Sequence, residues 1–183
     1  NKNMRSEMID EMLYWIKDEN IDGFRCDVAS AVPLDFWEEV ISKIRDEKDV
    51  FMLAEAEEPE LVKGRRLFDM VYAWERHHIF NKMANEENAI EIWDKIMEKE
   101  SERFESDDIL MSFVTNHDEN SWNGTAYERY GASFHVQTLL AFTMPGMPLI
   151  YNGQESGLNK RLRFFEKDTI CLLYTSPSPR DSR

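Results

Sequence analysis

The feature of this sequence that most limits its fold is the alternation of short apolar runs with amphipathic helical stretches. Strand-length apolar runs lie near residues 22–27, 50–54, 68–74, 109–115 and 147–151. Apolar residues that recur every three or four positions predict helices near residues 6–20, 33–45, 75–84, 89–104 and 130–143. Because strands that alternate with helices are typical of βαβ units, we predict an α/β fold with a parallel sheet.

Ionisable side chains follow these predicted strands at the point where each strand ends. Asp27, Glu55, the pair His117 and Asp118, and Glu155 occupy such positions. Sites assembled from several strand ends are typical of the (β/α)8 TIM barrel. A doubly wound sheet usually carries a glycine-rich phosphate turn, whereas this chain has only seven glycines and no G-x-G-x-x-G motif. We therefore expect a TIM barrel with a site at the carboxyl ends of its strands.

The formal net charge of −14 argues against partners that are themselves anionic. Because nucleic acid and anionic membrane surfaces repel a polyanion, we expect no nucleic acid partner and no membrane partner. The sequence also lacks the run of about 18 apolar residues that a membrane-spanning helix needs. The two cysteines, Cys26 and Cys171, support neither a disulfide framework nor a zinc site.

The stretch from Ile21 to Ala31 carries an arginine and an aspartate two residues apart within an apolar run. In a strand, Arg25 and Asp27 share one face, while Phe24 and Cys26 share the other. A parallel strand covered on both faces is normally apolar throughout. The charged pair therefore indicates either a functional site at the strand end or a buried ion pair that holds the strand ends together.

Asp27 and Glu55 end two consecutive predicted strands that one helix joins, so in a barrel their carboxyl groups are neighbours. Two carboxyl groups at close range are what retaining glycoside hydrolysis requires, one as the nucleophile and the other as the general acid and base. We expect the positive charge of Arg25 to keep Asp27 ionised and in place. We expect the apolar run before Glu55 to favour the protonated acid.

Three strings of residues resemble conserved regions of the α-amylase superfamily, glycoside hydrolase family 13. The string Gly23–Asp27 (GFRCD) resembles the second conserved region, Leu53–Ala56 (LAEA) the third, and Phe113–Asp118 (FVTNHD) the fourth. Their order and spacing also fit, and the resemblance extends from about residue 3 to residue 170. It implies a (β/α)8 catalytic barrel that acts on α-glucans or malto-oligosaccharides such as those of starch.

The resemblance implies a role for each matching residue. Asp27 is expected to be the nucleophile and Glu55 the general acid and base, with Arg25 orienting Asp27. Asp118 is expected to bind ring hydroxyls and favour the oxocarbenium-like state, and His117 to hydrogen-bond sugar hydroxyls beside it. Without the resemblance, the structural interpretations are favoured: His117 as a structural histidine and Asp118 as a cap beside a helix.

Other residues are open to two interpretations. Trp122 lies in the loop after His117 and Asp118, where it either stacks on a sugar ring or anchors the loop. The adjacent His77 and His78 do not chelate a metal as residues four positions apart do, because they point about 100° apart on a helix. We expect no metal or other cofactor in this segment. Calcium is common in the family and is left open for a complete parent protein.

The sequence departs from the family pattern in several places. Its first conserved region and first three barrel strands are missing, so the resemblance maps the chain onto strands four to eight. Many α-amylases carry a Lys-His pair three and four residues after the nucleophile, where this chain has Ser30 and Ala31. A barrel open at strands four and eight has unpaired edges, so we expect residues 1–170 to be part of a longer protein and inactive alone.

Two matters are left open. Residues 171–183 lack helical or strand periodicity and resemble translated adapter or out-of-frame DNA, so we expect this tail to be foreign to the domain or disordered. The function is expected to be hydrolysis. The alternatives are an α-glucan transglycosidase and a non-catalytic homologue that binds carbohydrate or associates with a transporter. The sequence does not indicate the compartment.

Overall fold

The structure of the chain is a computed structural model that describes residues 2–85 and 87–170. The predicted foreign tail at 171–183 lies outside the described residues. The strands are β1 (Gly23–Cys26), β2 (Phe51–Ala54), β3 (Met70–Tyr72), β4 (Ile109–Ser112) and β5 (Met147–Pro148). The helices are α1 (Lys2–Lys17), α2 (Leu34–Glu47), α3 (Pro59–Val62), α4 (Trp74–Met83), α5 (Ala89–Arg103), α6 (Ala126–Tyr130) and α7 (Phe134–Thr143).

The described residues form two compact units. The first unit contains residues 2–74 and 99–111, and the second contains residues 75–85, 87–98 and 112–170. Each unit has its own cluster of buried apolar side chains. The two units are therefore described separately.

The first unit is built on a parallel sheet, which confirms the predicted α/β class. Strand β1 pairs with β2, β2 pairs with β3, and β3 pairs with β4, all in parallel. Gly23 pairs with Phe51 at a distance that leaves no room for a side chain. A Cβ atom added to Gly23 would lie 2.0 Å from the Phe51 carbonyl oxygen. Register also pairs Cys26 with Ala54. Asp27 and Glu55 each directly follow one of these paired residues, so the two acidic residues come after adjacent strand ends.

Helix α2 supplies much of the core of the first unit. Its buried face consists of Phe36, Trp37, Val40, Ile41 and Ile44. These residues recur at the three- and four-residue spacing that predicted the helix, and they pack with buried residues of β1 and β2. Burial of such a face, rather than intrinsic propensity, accounts for most of the stability of a helix in a protein.

The second unit packs around α4, α6 and α7. Its core contains Phe80, Val114, Tyr130, Phe134 and Ala141. The predicted strand at 147–151 is only two residues long, and next to it the Leu149 N–H donates to the Ser112 carbonyl oxygen at 2.8 Å. None of the helices that the structure describes is long and apolar enough to cross a membrane.

Candidate active site

Arg25 is the centre of a polar cluster in the first unit. Its guanidinium contacts Asp27 Oδ1 through Nη1 and Glu55 Oε1 through Nη2, the latter at 2.8 Å. Its Nε donates to the Tyr72 hydroxyl at 3.2 Å, and the guanidinium carbon lies 5.6 Å from the centre of the Tyr72 ring. One arginine from β1 therefore contacts carboxyl groups that follow two neighbouring strands, as well as a hydroxyl from a third strand.

The loops after β1 and β2 are joined by their backbones. The Glu55 N–H donates to the Cys26 carbonyl at 2.9 Å, and the Ala29 N–H donates to the Glu55 carbonyl at 3.2 Å. The buried Trp37 of α2 donates its indole N–H to the Ala29 carbonyl at 2.9 Å. These bonds hold the residues on both sides of Asp27 and Glu55 in fixed positions.

Val28, which directly follows Asp27, has a left-handed backbone conformation with φ 42° and ψ 48°. This conformation is rare for a β-branched residue and costs of order 1–3 kcal/mol. The Val28 N–H donates to Glu55 Oε2 at 2.8 Å. Such strain is characteristic of functional sites, and here it occurs at the residue whose N–H contacts Glu55.

Solvent exposure distinguishes the two carboxyl groups. The Asp27 side chain is 76% exposed, whereas that of Glu55 is 13% exposed. Burial lowers the pKa of Arg25, but the hydrogen bonds with Tyr72 and Asp27 and the charge of Glu55 outweigh it and raise that pKa above its ordinary value. Arg25 is therefore a permanent cation between the two groups.

Burial raises the pKa of the Cys26 thiol to about 11, so this thiol is unreactive.

The carboxyl group of Glu55 is largely buried and also has polar partners. One carboxyl oxygen forms an ion pair with the Arg25 guanidinium, and the other accepts a hydrogen bond from the Val28 N–H. Glu55 thus combines a largely buried position with a polar partner on each carboxyl oxygen.

A second polar cluster, in the second unit, follows β4. His117 Nε2 lies 3.4 Å from Asp118 Oδ2, and both side chains are partly exposed. The His117 ring stacks on Phe164, with the ring centres 5.9 Å apart and the planes at 26°. Trp122 lies on a π-helical turn, Glu119–Asn123, and also contacts Phe164. Sequence analysis therefore identified three of the side chains in this cluster and missed Phe164.

A buried charged network lies directly behind His117 and Asp118. Glu119 Oε2 is 3.1 Å from His77 Nε2 and 3.5 Å from Arg129 Nη1, and the Glu119 side chain is only 13% exposed. Burial opposes the charged form of Glu119, but the hydrogen bond and charge of His77, with help from Asn123 and Arg129, lower its pKa to about 2.

Arg129 also donates to the Val114 carbonyl at 2.7 Å and to the Gly124 carbonyl at 3.1 Å. These two carbonyls lie on either side of His117 and Asp118 in the chain. The network therefore fixes both ends of the segment that carries them.

The family model of the alpha-amylase catalytic domain matches residues 1–171 of this chain. The chain belongs to the alpha-amylase family. This agrees with the three sequence strings around Asp27, Glu55 and Asp118, and it fits the parallel sheet with acidic residues at its strand ends.

Several curated relatives of the chain are amylases. Alpha-amylase MalA of Haloarcula japonica is 31% identical over 159 residues, which is 86% of this chain and 23% of that protein. The intracellular maltogenic amylase of Bacillus subtilis is 27% identical over 184 residues, which is 93% of this chain and 29% of that protein. The chain thus spans less than a third of the length of these two relatives.

Solved structures of amylases resemble the fold. A maltogenic alpha-amylase, AmyB from Thermotoga neapolitana, superposes with a TM-score of 0.83 at 27% identity, over 100% of this chain and 42% of that one. An alpha-amylase from Lactobacillus plantarum superposes with a TM-score of 0.76 at 27% identity, over 92% of this chain and 43% of that one.

The structure brings Arg25, Asp27 and Glu55 together in the first unit and places His117, Asp118 and Trp122 in the second. Sequence reasoning missed Tyr72, because a tyrosine in an apolar strand looks like an ordinary core residue. The one sequence indication for Glu119 is its position as the third of three consecutive ionisable residues after β4. Among residues 2–85 and 87–170, no group of three or more His, Cys, Asp or Glu side chains is arranged to hold a metal ion.

Proposed function

We propose that this chain is part of a retaining α-glycoside hydrolase that acts on α-glucans or malto-oligosaccharides. The observation that carries the proposal is the Arg25 guanidinium, which contacts the carboxyl groups of both Asp27 and Glu55. Two carboxyl groups that share one guanidinium lie close enough to act on one glycosidic bond. Membership of the alpha-amylase family supplies the substrate class.

The proposed reaction has two displacements. In the first, an oxygen of the exposed Asp27 attacks the anomeric carbon, the bond to the leaving oxygen breaks, and Glu55 gives that oxygen its proton. In the second, Glu55 takes a proton from water, the water oxygen bonds to the anomeric carbon, and Asp27 is released. Arg25 orients Asp27 and remains cationic throughout.

The second cluster is proposed to hold the substrate. Asp118 binds hydroxyls of the reacting ring and favours its oxocarbenium-like state, and His117 hydrogen-bonds hydroxyls beside it. Both side chains are partly exposed, which leaves them accessible to a ligand. Trp122 stacks on a sugar ring, because the apolar faces of pyranoses suit aromatic rings.

Transfer to another sugar is a second candidate for the same chemistry. The 4-alpha-glucanotransferase of Thermotoga neapolitana is 26% identical over 165 residues, which is 83% of this chain. In a transferase, a sugar hydroxyl replaces water in the second displacement. A non-catalytic homologue is a weaker candidate, because Asp27, Glu55 and Asp118 are all present.

We further propose that β1 to β5 correspond to strands four to eight of a (β/α)8 barrel. The support is the order of the three family strings along the chain and the parallel pairing of β1 to β4. On this basis the 183 residues alone are expected to be inactive. Purified 1–183 that unfolds cooperatively and hydrolyses starch would contradict this expectation.

The test of the function uses the enzyme that carries this segment. Asp27→Asn and Glu55→Gln are each expected to lower the turnover of maltoheptaose at least about a hundredfold, since each removes a reacting group. Asp35→Asn is the matched control, because Asp35 also pairs with an arginine of the same unit, Arg5, but is exposed. A covalent sugar trapped on Asp27 is expected by mass spectrometry. Turnover that survives Asp27→Asn would refute the assignment.

A further inference from the structure

Two phenylalanines without a role so far, Phe164 and Phe165, join the rings of His117 and Trp122 in a continuous aromatic platform of the second unit. The centre of the Phe164 ring lies 5.9 Å from that of His117, 5.2 Å from that of Trp122 and 4.7 Å from that of Phe165. Trp122 and Phe165 are 6.3 Å apart. Phe164 is therefore the central ring, and each of the other three contacts it.

The outer rings of the aromatic platform are open to solvent. Trp122 is 58% exposed and Phe165 is 85% exposed. A single exposed apolar side chain is ordinary, but contiguous exposed rings are characteristic of a binding surface. Covering this apolar surface would be favourable, because burial of apolar area lowers the free energy. The rings are therefore accessible to a ligand that covers flat surfaces.

The platform is held in a fixed shape by buried polar contacts. The buried Asn120 accepts from the Leu162 N–H at 2.8 Å and donates to the Lys160 carbonyl at 3.1 Å. Ser121 donates to the Leu162 carbonyl at 2.8 Å. These bonds attach the segment before Phe164 to the turn that carries Trp122. The rings thus meet because two segments are bound together, and a ligand is not required to assemble them.

Asp168 closes the loop that carries the two phenylalanines. It forms an ion pair with Lys160 and accepts from the Thr169 N–H at 2.8 Å and the Arg163 N–H at 3.2 Å. Phe164 and Phe165 lie between these anchors. A rigid aromatic surface loses little conformational entropy when a ligand binds.

The position of the platform indicates what binds there. At one end, His117 adjoins Asp118, which is proposed to bind the reacting ring. At the other end, Trp122 and Phe165 lie beyond Phe164 and are more exposed. We propose that the aromatic platform binds glucosyl units of an α-glucan other than the one that reacts, an inference that rests on the proposed function.

The chemistry of the surroundings suits a sugar better than an apolar ligand. Pyranoses present C–H groups on their faces and hydroxyls around their edges, so they need both flat rings and polar neighbours. The exposed ion pair of Arg163 with Glu166 flanks the two phenylalanines in sequence, and Asn123 follows Trp122. A purely apolar ligand would leave these polar groups unused.

The experiment measures the binding of maltoheptaose by calorimetry, in the enzyme that carries this segment and with Asp27→Asn to prevent turnover. Trp122→Ala and Phe165→Ala are each expected to raise the Kd about tenfold, which corresponds to about 1.4 kcal/mol. Phe165→Tyr is expected to restore binding, because it keeps a flat ring. Trp15→Ala is the matched control, since Trp15 is an exposed tryptophan of the first unit.

The outcomes separate the platform from the proposed function. An unchanged Kd in both alanine variants overturns the platform. So does binding that Phe165→Leu restores as well as Phe165→Tyr, since apolar bulk would then suffice. If the enzyme without Asp27→Asn cleaves maltoheptaose while the alanine variants bind it normally, only the platform is refuted. If the enzyme binds maltoheptaose through the platform but never cleaves it, only the function is refuted.

Discussion

The buried carboxylate of Glu119 provides a quantitative test of the network behind His117 and Asp118. The pKa of Glu119 is lowered from its ordinary value of 4.5 to about 2, because the contacts with His77, Asn123 and Arg129 outweigh the effect of burial. A pKa difference of one corresponds to about 1.4 kcal/mol, so the folded state gains about 3 kcal/mol from this group. Removing one partner of a buried ion pair also costs roughly 3–5 kcal/mol, which agrees.

Glu119→Gln is therefore expected to lower the free energy of unfolding by about 3 kcal/mol at pH 7. The lowered pKa of Glu119 also decides how its contribution to the free energy of unfolding changes with pH. The contribution is complete above the unfolded pKa near 4.5 and is lost as the pH falls towards about 2. Between these values the wild-type enzyme should lose stability more steeply than Glu119→Gln. Near pH 2 the two free energies should converge.

The assay is urea unfolding of the enzyme that carries this segment, followed from pH 7 down to about pH 2.5. Glu166→Gln is the matched control, because Glu166 pairs with an arginine on the surface, where such a pair contributes about 0–1 kcal/mol. A Glu119→Gln variant that differs from wild type by less than about 1 kcal/mol at pH 7, or that loses stability in parallel with it on acidification, would refute the reasoning.

Three further substitutions test other parts of the structure in the same enzyme. Gly23→Ala should destabilise it by about 3 kcal/mol in urea unfolding, because the added Cβ would meet the Phe51 carbonyl; near-neutral behaviour would contradict the close pairing. Val28→Gly should raise the free energy of unfolding by about 1 kcal/mol by relieving the left-handed strain, and a loss would show that the valine side chain contributes more. Ser30→Lys with Ala31→His fills part of a groove of about 330 Å³. It should strengthen inhibition by maltose severalfold, and unchanged inhibition would count against product contacts there.

The sequence was sufficient to predict that Arg25, Asp27 and Glu55 lie close together, because the prediction needs only the parallel pairing of two consecutive strands. Two strands joined by one helix end side by side, and the observed register pairs Cys26 with Ala54. The next residue of each strand is then the acidic one. No contact beyond adjacent strands is needed to place these groups together.

The surroundings of Glu55 could not be predicted in the same way. The apolar run before it does not reveal that the Val28 N–H donates to its second carboxyl oxygen, or that Val28 is left-handed. No propensity favours that conformation for valine. The surrounding bonds impose it, and these include the Trp37 indole contact with Ala29.

A similar limit applies to helix starts. Asp35 with Glu38 and Thr125 with Glu128 both have the three-residue spacing of a capping box. Of these two pairs, only Thr125 with Glu128 forms the reciprocal cap at the start of its helix. Helix α2 begins at Leu34, so Asp35 lies inside the first turn. There it pairs with Arg5 of α1.

The network around Glu119 shows why some functional positions elude sequence reasoning. Glu119 looks like one more acidic residue on a polar turn, and its neighbours His77 and Arg129 look like surface residues of helices. Their burial depends on where α4 and α6 lie in the folded second unit. The charges of Glu119 and Arg129 are tolerated there because the two groups are paired with each other. If the network positions Asp118, Glu119→Gln should lower kcat on maltoheptaose and leave the KM nearly unchanged. An equal loss through KM alone would instead assign Glu119 to substrate binding.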